Sequence, residues 1–259
     1  MKLLTISVVV LSLLGICAYA QTDSGAVKIN LGTADKFALL GASGITNVSS
    51  QTYIIGDVGS SPTCTVNGLT QNQVKGRLFL KCSPVTAQAQ KDLTVAYNQA
   101  AGATCGTDLT GKDLGGMKLG PGVYCFSSSA QLTGTLTLDA DGNPESQWVF
   151  QIGSSLTTAT SSKVVLVLGH NQPQPLWKKA LRGCNVYWQV GSSATIGTGN
   201  TFVGKILALT SITLNGGVLR GKSLASNGAI TMSDQETVDG PPCGSTGAAH
   251  GDGTASAQN

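Results

Sequence analysis

The segments Gln189-Val190-Gly191-Ser192-Ser193-Ala194-Thr195, Leu207-Ala208-Leu209-Thr210-Ser211-Ile212-Thr213 and Leu224-Ala225-Ser226-Asn227-Gly228-Ala229-Ile230-Thr231 repeat one theme. A small residue is followed two positions later by Ser, Thr or Asn, and a Thr among apolar neighbours comes soon after. Gly191, Ala208 and Ala225 are 17 positions apart. Thr195, Thr213 and Thr231 are 18 apart. Further copies of the small-polar pair are Gly41/Ser43, Gly59/Ser61 and Gly153/Ser155, and Gln151-Ile152-Gly153-Ser154-Ser155-Leu156-Thr157 matches the segment at Gln189 closely. The step from Gly153 to Gly191 is 38, close to two periods. A fixed period of this size predicts stacked coils, one supersecondary unit per repeat. Stacking sets the small polar pairs in rows, which make a surface rather than a pocket.

Around these repeats the chain reads as strand and turn. Val27–Leu31, Phe37–Ser43 and Thr52–Gly56 are short strands punctuated by Gly, Asn and Ser. Leu132-Thr133-Gly134-Thr135-Leu136-Thr137-Leu138 alternates with period two, one face Thr-rich and the other Leu-rich. One helix interrupts the pattern, expected at about 84–101. Ser83 caps it, Pro84 suits its first turn and Gly102 stops it. Ala89, Leu93, Ala96, Tyr97 and Ala100 form a narrow apolar stripe that needs a flat apolar wall.

The first 20 residues read as a secretory signal: Lys2, an apolar run from about Leu3 to Cys17, and the small-x-small site Ala18-Tyr19-Ala20. The mature domain is expected over 21–243, with a disordered Gly/Ala/Ser/Thr tail over 244–259. Six cysteines remain after the signal, an even number that suits disulfides in a secreted chain. Fifteen pairings exist. The expected one is Cys64–Cys82, Cys105–Cys125 and Cys184–Cys243. Asn47-Val48-Ser49 is a glycosylation sequon. No CxxC motif or Cys/His cluster supports a metal site, and no cofactor is expected.

Charged residues make up 11% of the chain, against roughly 25% in ordinary soluble domains. There is no run of Lys or Arg, so nucleic acid is not an expected partner, and no stretch after the signal approaches transmembrane length. The surface must be covered by Thr, Ser, Asn, Gly and Ala, which suits a neutral partner. Enzymes built on β-helices need paired carboxylates or an acid–base set. Only Glu145 and Glu236 are glutamates, Asp57 reads as a turn residue, and His170 and His250 have no nucleophile motif nearby.

Many segments in one order resemble the secreted ice-binding (antifreeze) proteins of microbial type. They are Asn30-Leu31-Gly32-Thr33-Ala34 with Phe37-Ala38-Leu39-Leu40, Gly56-Asp57-Val58-Gly59-Ser60-Ser61-Pro62, and Asp92-Leu93 with Ala96-Tyr97. Leu119-Gly120-Pro121-Gly122-Val123-Tyr124, Leu132–Asp139, Trp148–Gly153 and Asn185–Gly191 complete the set. The resemblance spans about Val27–Gly240. It implies a mostly β fold: a right-handed discontinuous β-helix, triangular in section, with the long helix alongside. It also implies a flat, regular face that binds an ice crystal surface, with thermal hysteresis and inhibited recrystallisation as results, and a monomer is expected.

Some family members carry a Thr-Ala/Gly-x-Thr/Asn signature on that face. Only its latter part is present here, because Leu40, Val190, Leu207 and Leu224 stand where the leading Thr would be. The signature makes Gly41, Ser43, Gly191, Ser193, Ala208, Thr210, Ala225 and Asn227 the expected ice row. Thr157, Thr195, Thr213 and Thr231 are the second choice, on an adjoining face. The rival reading is a secreted glycan-binding or adhesion module, which would need exposed aromatics. Trp148, Trp177 and Trp188 are few, and Trp148 and Trp188 sit at equivalent strand positions that read as structural.

Overall fold

The computed structural model describes residues 27–167, 183–240 and 243. The expected signal, the tail, His170, His250 and Trp177 lie outside the described residues. The chain winds as a right-handed β-helix of parallel strands on three faces. All ladders among the described residues are parallel, so strands from successive coils sit in register along each face.

The first face carries Gly122–Phe126, Trp148–Ile152, Val186–Val190, the ends of the long strands Asn200–Ala208 and Gly217–Ala225, and then Phe37–Gly41 and Asp57–Ser60. The second carries Ala130–Leu132, Leu156–Thr158, Ala194–Ile196, Ile212–Leu214, Ala229–Met232, Gly44–Asn47 and Val66–Asn67. The third carries Thr135–Asp139, Lys163–Val167, the starts of the two long strands, Glu236–Asp239 and Tyr53–Ile55. The helix is discontinuous because the N-terminal coils do not begin the stack. Phe37–Gly41 pairs with Gly217–Ala225, so they are added after the C-terminal coil.

The α-helix Pro84–Ala101 carries the chain back along the stack. Its 18 residues rise about 27 Å, between five and six strand spacings. The Ser83 Oγ accepts from the Val85 amide at its start, and Gly102 follows its end. Ala89, Leu93, Ala96 and Ala100 are fully buried against Leu40, Leu207, Leu224, Val149 and Tyr187, outward residues of the first face. That face is the flat apolar wall the stripe needs. Gln151 Nε2 donates to the carbonyls of Ala100 and Ala103, satisfying acceptors left open at the helix end. Gln189 Nε2 donates to the Tyr97 hydroxyl at 2.7 Å.

The interior is filled by inward side chains of all three faces. Tyr124, Phe150, Trp188 and Phe202 form a ladder, with Phe150 and Trp188 stacked at 3.9 Å. Trp148 and Trp188 are both buried, but not at equivalent positions: Phe150 lies beside Trp188, and Trp148 beside Val186. Three disulfides join Cys64–Cys82, Cys105–Cys125 and Cys184–Cys243, the pairs named above.

Glu236 also points inward, beside Gly217, and burial pushes its carboxyl up to about 7 against a backbone hydrogen bond from Gly216 that pulls it down. Between about pH 4.5 and 7 the folded chain holds a proton that the unfolded chain has released. Stability from the neutral carboxyl is therefore present below pH 4.5 and lost as pH rises to 7. We expect a fall of about 3 kcal/mol over that window. Glu236→Gln should flatten the melting temperature across it; an unchanged slope would place the effect elsewhere.

Candidate functional site

The expected row at Gly41, Gly191, Ala208 and Ala225 does not form one line. Val190 lies beside Ala208, and Ala208 beside Ala225, so Gly191 falls one position past the Ala208 level. Gly191 instead aligns with Gly153, and Gly41 with Ala225. The row is also not a face. It is the corner where the chain leaves the first face for the second.

Gly41, Ala208 and Ala225 are buried there, so they offer no surface to a partner. Backbone crowds this corner: a Cβ on Gly41 would stand 2.6 Å from the Gly44 carbonyl oxygen of its own turn. A Cβ on Gly191 would stand 2.5 Å from the Gly153 carbonyl oxygen. The polar members decorate this corner. Ser193 Oγ and Thr210 Oγ1 share a hydrogen bond of 2.7 Å, and Ser43 Oγ donates to the Asn227 carbonyl. The recurring motif is thus a turn requirement, repeated where a coil leaves the first face for the second.

The second row does form a line. Thr157 lies beside Thr195, Thr195 beside Thr213, and Thr213 beside Thr231. Sequence reasoning missed three of its members. Thr231 pairs with Thr46, Thr46 with Asn67, and Gln131 precedes Thr157. Thr46 was missed because its coil stands far away in the chain. The signal for it was Ile45-Thr46, matching Ile212-Thr213 and Ile230-Thr231.

This second face is a threonine face with a dry underside. Ile45, Leu156, Ala194, Ile196, Ile212, Leu214, Ile230 and Met232 point inward and are buried, so the threonines must point out. At the ends of these short strands, partly exposed Ser155, Ser211 and Ala229 edge the row toward the corner that Ser193 marks, and Ala159, Gly197, Asn215 and Ser233 edge it on the other side. The strands contain no Asp, Glu, Lys or Arg. Rows repeat at about 4.8 Å along the stack and about 6.7 Å across it. Asp113 bridges to Gln131 and closes one end. Burial works against its charge, but hydrogen bonds from Thr133 and the Gly115 amide outweigh that and hold its carboxyl below the usual range.

The other faces differ. The helix covers the first. The third carries Lys118, Asp139, Lys163, Arg220 and Asp239, with a Lys118–Asp139 ion pair at 2.7 Å. The threonine face is therefore the one regular, neutral surface that the described residues leave uncovered.

Asn47 ends its inward row in this face. Its Nδ2 donates to the carbonyls of Ser49 and Gly68, and its Oδ1 accepts from Thr52 Oγ1 at 2.8 Å. It is buried, with no room for a sugar on Nδ2. The structure thus argues against the sequon as a glycan site and makes Asn47 a bolt across a coil. Asn47→Ala should cost about 2 kcal/mol, read as a lower melting temperature. Protein from a glycosylating host should show no added glycan mass there. Among the described residues no group of His, Cys, Asp and Glu is placed to hold a metal.

A family model described as ice-binding-like matches residues 39–238. The chain belongs to the ice-binding-like family. An ice-binding protein of Nostoc sp. (strain HG1) is 48% identical over 225 residues, covering 85% of this chain and 78% of the relative. Another, from Leucosporidium sp. (strain AY30), is 33% identical over 262 residues, 93% of each chain. Among solved structures, an ice-binding protein from an Antarctic biological consortium matches with a TM-score of 0.70 at 33% identity, over 91% of this chain and 95% of that one. An ice-binding protein with antifreeze activity from an Arctic yeast matches with a TM-score of 0.70 at 30% identity, over 82% and 95%.

Proposed function

We propose that this protein is secreted and binds ice through the threonine face, without catalysing a reaction. The observation that carries this is the unbroken line Thr157, Thr195, Thr213, Thr231 and Thr46 on a charge-free plane that the helix leaves open. The relatives, all ice-binding proteins by name, support it. The secretory pattern at 1–20 and three disulfides support export.

Threonine side chains are short and branched at Cβ, so they lose little freedom when held. Their hydroxyls order water on the grid, and their methyls keep the plane weakly hydrated. Each contact is weak, but a rigid lattice of them binds together because the ordering cost is already met in folding. Adsorbed molecules pin a growing ice front and force it to curve between them. That lowers the freezing point and blocks recrystallisation.

Nanolitre osmometry on the purified protein tests the reading. A gap between melting and freezing temperatures, with a faceted crystal, supports it. A round crystal growing freely at micromolar protein overturns it. Among the described tryptophans a glycan-binding role draws no support: Trp148 and Trp188 are locked in the core.

A further inference from the structure

A cavity of about 360 Å³ opens on the helix side of the molecule, away from the threonine face. Asn30, Asp35, Asn185, Tyr187 and Lys205 line it, beside the Cys184–Cys243 disulfide. Its position follows from the fold. Asp35 sits in the short 3-10 helix Gly32–Lys36 that leads into the first coil, and Tyr187 and Lys205 are adjacent on the first face.

Two polar groups at this cavity are incompletely paired. The Lys205 side chain is only 5% exposed, and its ammonium has a long contact of 3.4 Å to the Tyr187 hydroxyl, lies 4.7 Å from the centre of the Tyr187 ring and makes an ion pair of 3.7 Å to Asp35 Oδ1. An ammonium carries three donors, and burying them unmet is costly. Asp35 Oδ1 is itself buried without a hydrogen-bond partner, while Oδ2 accepts from the Cys243 amide. Lys222 does not fill the gap. Its ammonium is held by the carbonyls of Asp35 and Gly240, at 2.6 and 2.8 Å, and stands 3.8 Å from Oδ1.

The cavity wall thus sets an ammonium with donors to spare beside a carboxylate oxygen that has ion pairs but no hydrogen bond. A simple anion meets Lys205 but repels Asp35. A cation does the reverse. A hydroxyl does both, accepting from the ammonium and donating to the carboxylate. Neighbouring hydroxyls on one small molecule would serve both groups and reach the amides of Asn30 and Asn185. The volume falls in the range of small-molecule sites.

We propose that this cavity binds a small polyhydroxylated compound, a polyol or monosaccharide, through Lys205 and Asp35. Binding is independent of ice, because the cavity and the threonine row lie on different faces. The test is saturation-transfer NMR on the full chain with glycerol, D-glucose and D-galactose, using acetate and inorganic phosphate as anionic comparators. A saturable signal from at least one hydroxyl compound is expected, lost in Lys205→Met and several-fold weaker in Tyr187→Phe, with ice activity intact in both. Should Lys205→Met fail to fold, Tyr187→Phe still decides, since it removes one hydroxyl only. No saturable signal from any of the three, a signal from the anions alone, or one unchanged in the variants would overturn the assignment.

Discussion

Thr213→Tyr is expected to lower thermal hysteresis at least several-fold while the protein stays folded. Thr213 stands mid-row, with Thr195 on one side and Thr231 on the other. Its backbone is extended and its neighbours Ile212 and Leu214 hold the strand from below. A tyrosine ring there would rise above a plane of short side chains and lift the whole face from a flat partner. The lost contacts include those of its neighbours, so one substitution acts on several. Stability should hardly change, because an outward surface substitution usually stays within about 0.5 kcal/mol. The melting temperature should remain within about 2 °C.

Two controls give the measurement its meaning. Thr210→Tyr lies on the corner and should cost much less activity. Ala225→Tyr should damage the fold instead. Ala225 is fully buried, and forcing a ring into a packed corner costs about 3 kcal/mol or more. Wild-type hysteresis in Thr213→Tyr, with loss in Thr210→Tyr, would move the ice surface to the corner.

Asp35→Ala should destabilise the protein by about 4 kcal/mol at pH 7, because it leaves two buried ammonium groups without their carboxylate. Burial already pushes Lys205 and Lys222 down to about 8, against the upward pull of Asp35. Unfolded lysines titrate near about 10.4. Between these values the unfolded chain holds more protons, so stability rises with pH from about 8 to about 10.4. Below pH 8 both lysines are charged and the full burial cost applies. Removing Asp35 enlarges that cost, so the deficit of the variant should be greatest at pH 7 and shrink toward pH 10. Measurements should stop there. Burial and the Asp35 charge push the Tyr187 hydroxyl up to about 12, so its contribution is lost once the unfolded tyrosine ionises above about pH 10. Melting curves at pH 7 and pH 10 check this. An equal deficit at both would mean that the loss is one of packing, not of charge.

Some of this molecule was legible in its residues. The period near 17 or 18 marked the coils because each must bend at a corner, and bending beside a close neighbour demands Gly or Ala there. Ser83, Pro84 and Gly102 marked the helix, since capping and proline placement act within one turn of chain. The Ala89–Leu93–Ala96–Ala100 stripe announced a wall without saying which strands would build it.

The tertiary structure alone decided which row faces outward in line. Motif spacing made Gly191, Ala208 and Ala225 look equivalent, 17 apart. The actual offset from Val190 to Ala208 is 18, which slides Gly191 out of the row. Thr195, Thr213 and Thr231 keep a constant offset, so their alignment survives. Thr46 joins them only because the N-terminal coil is added to the far end of the stack. A local sequence repeat reports where the chain turns. Which side chains share a plane depends on register between coils, set by hydrogen bonds between strands distant in sequence, as Thr46 and Thr231 are.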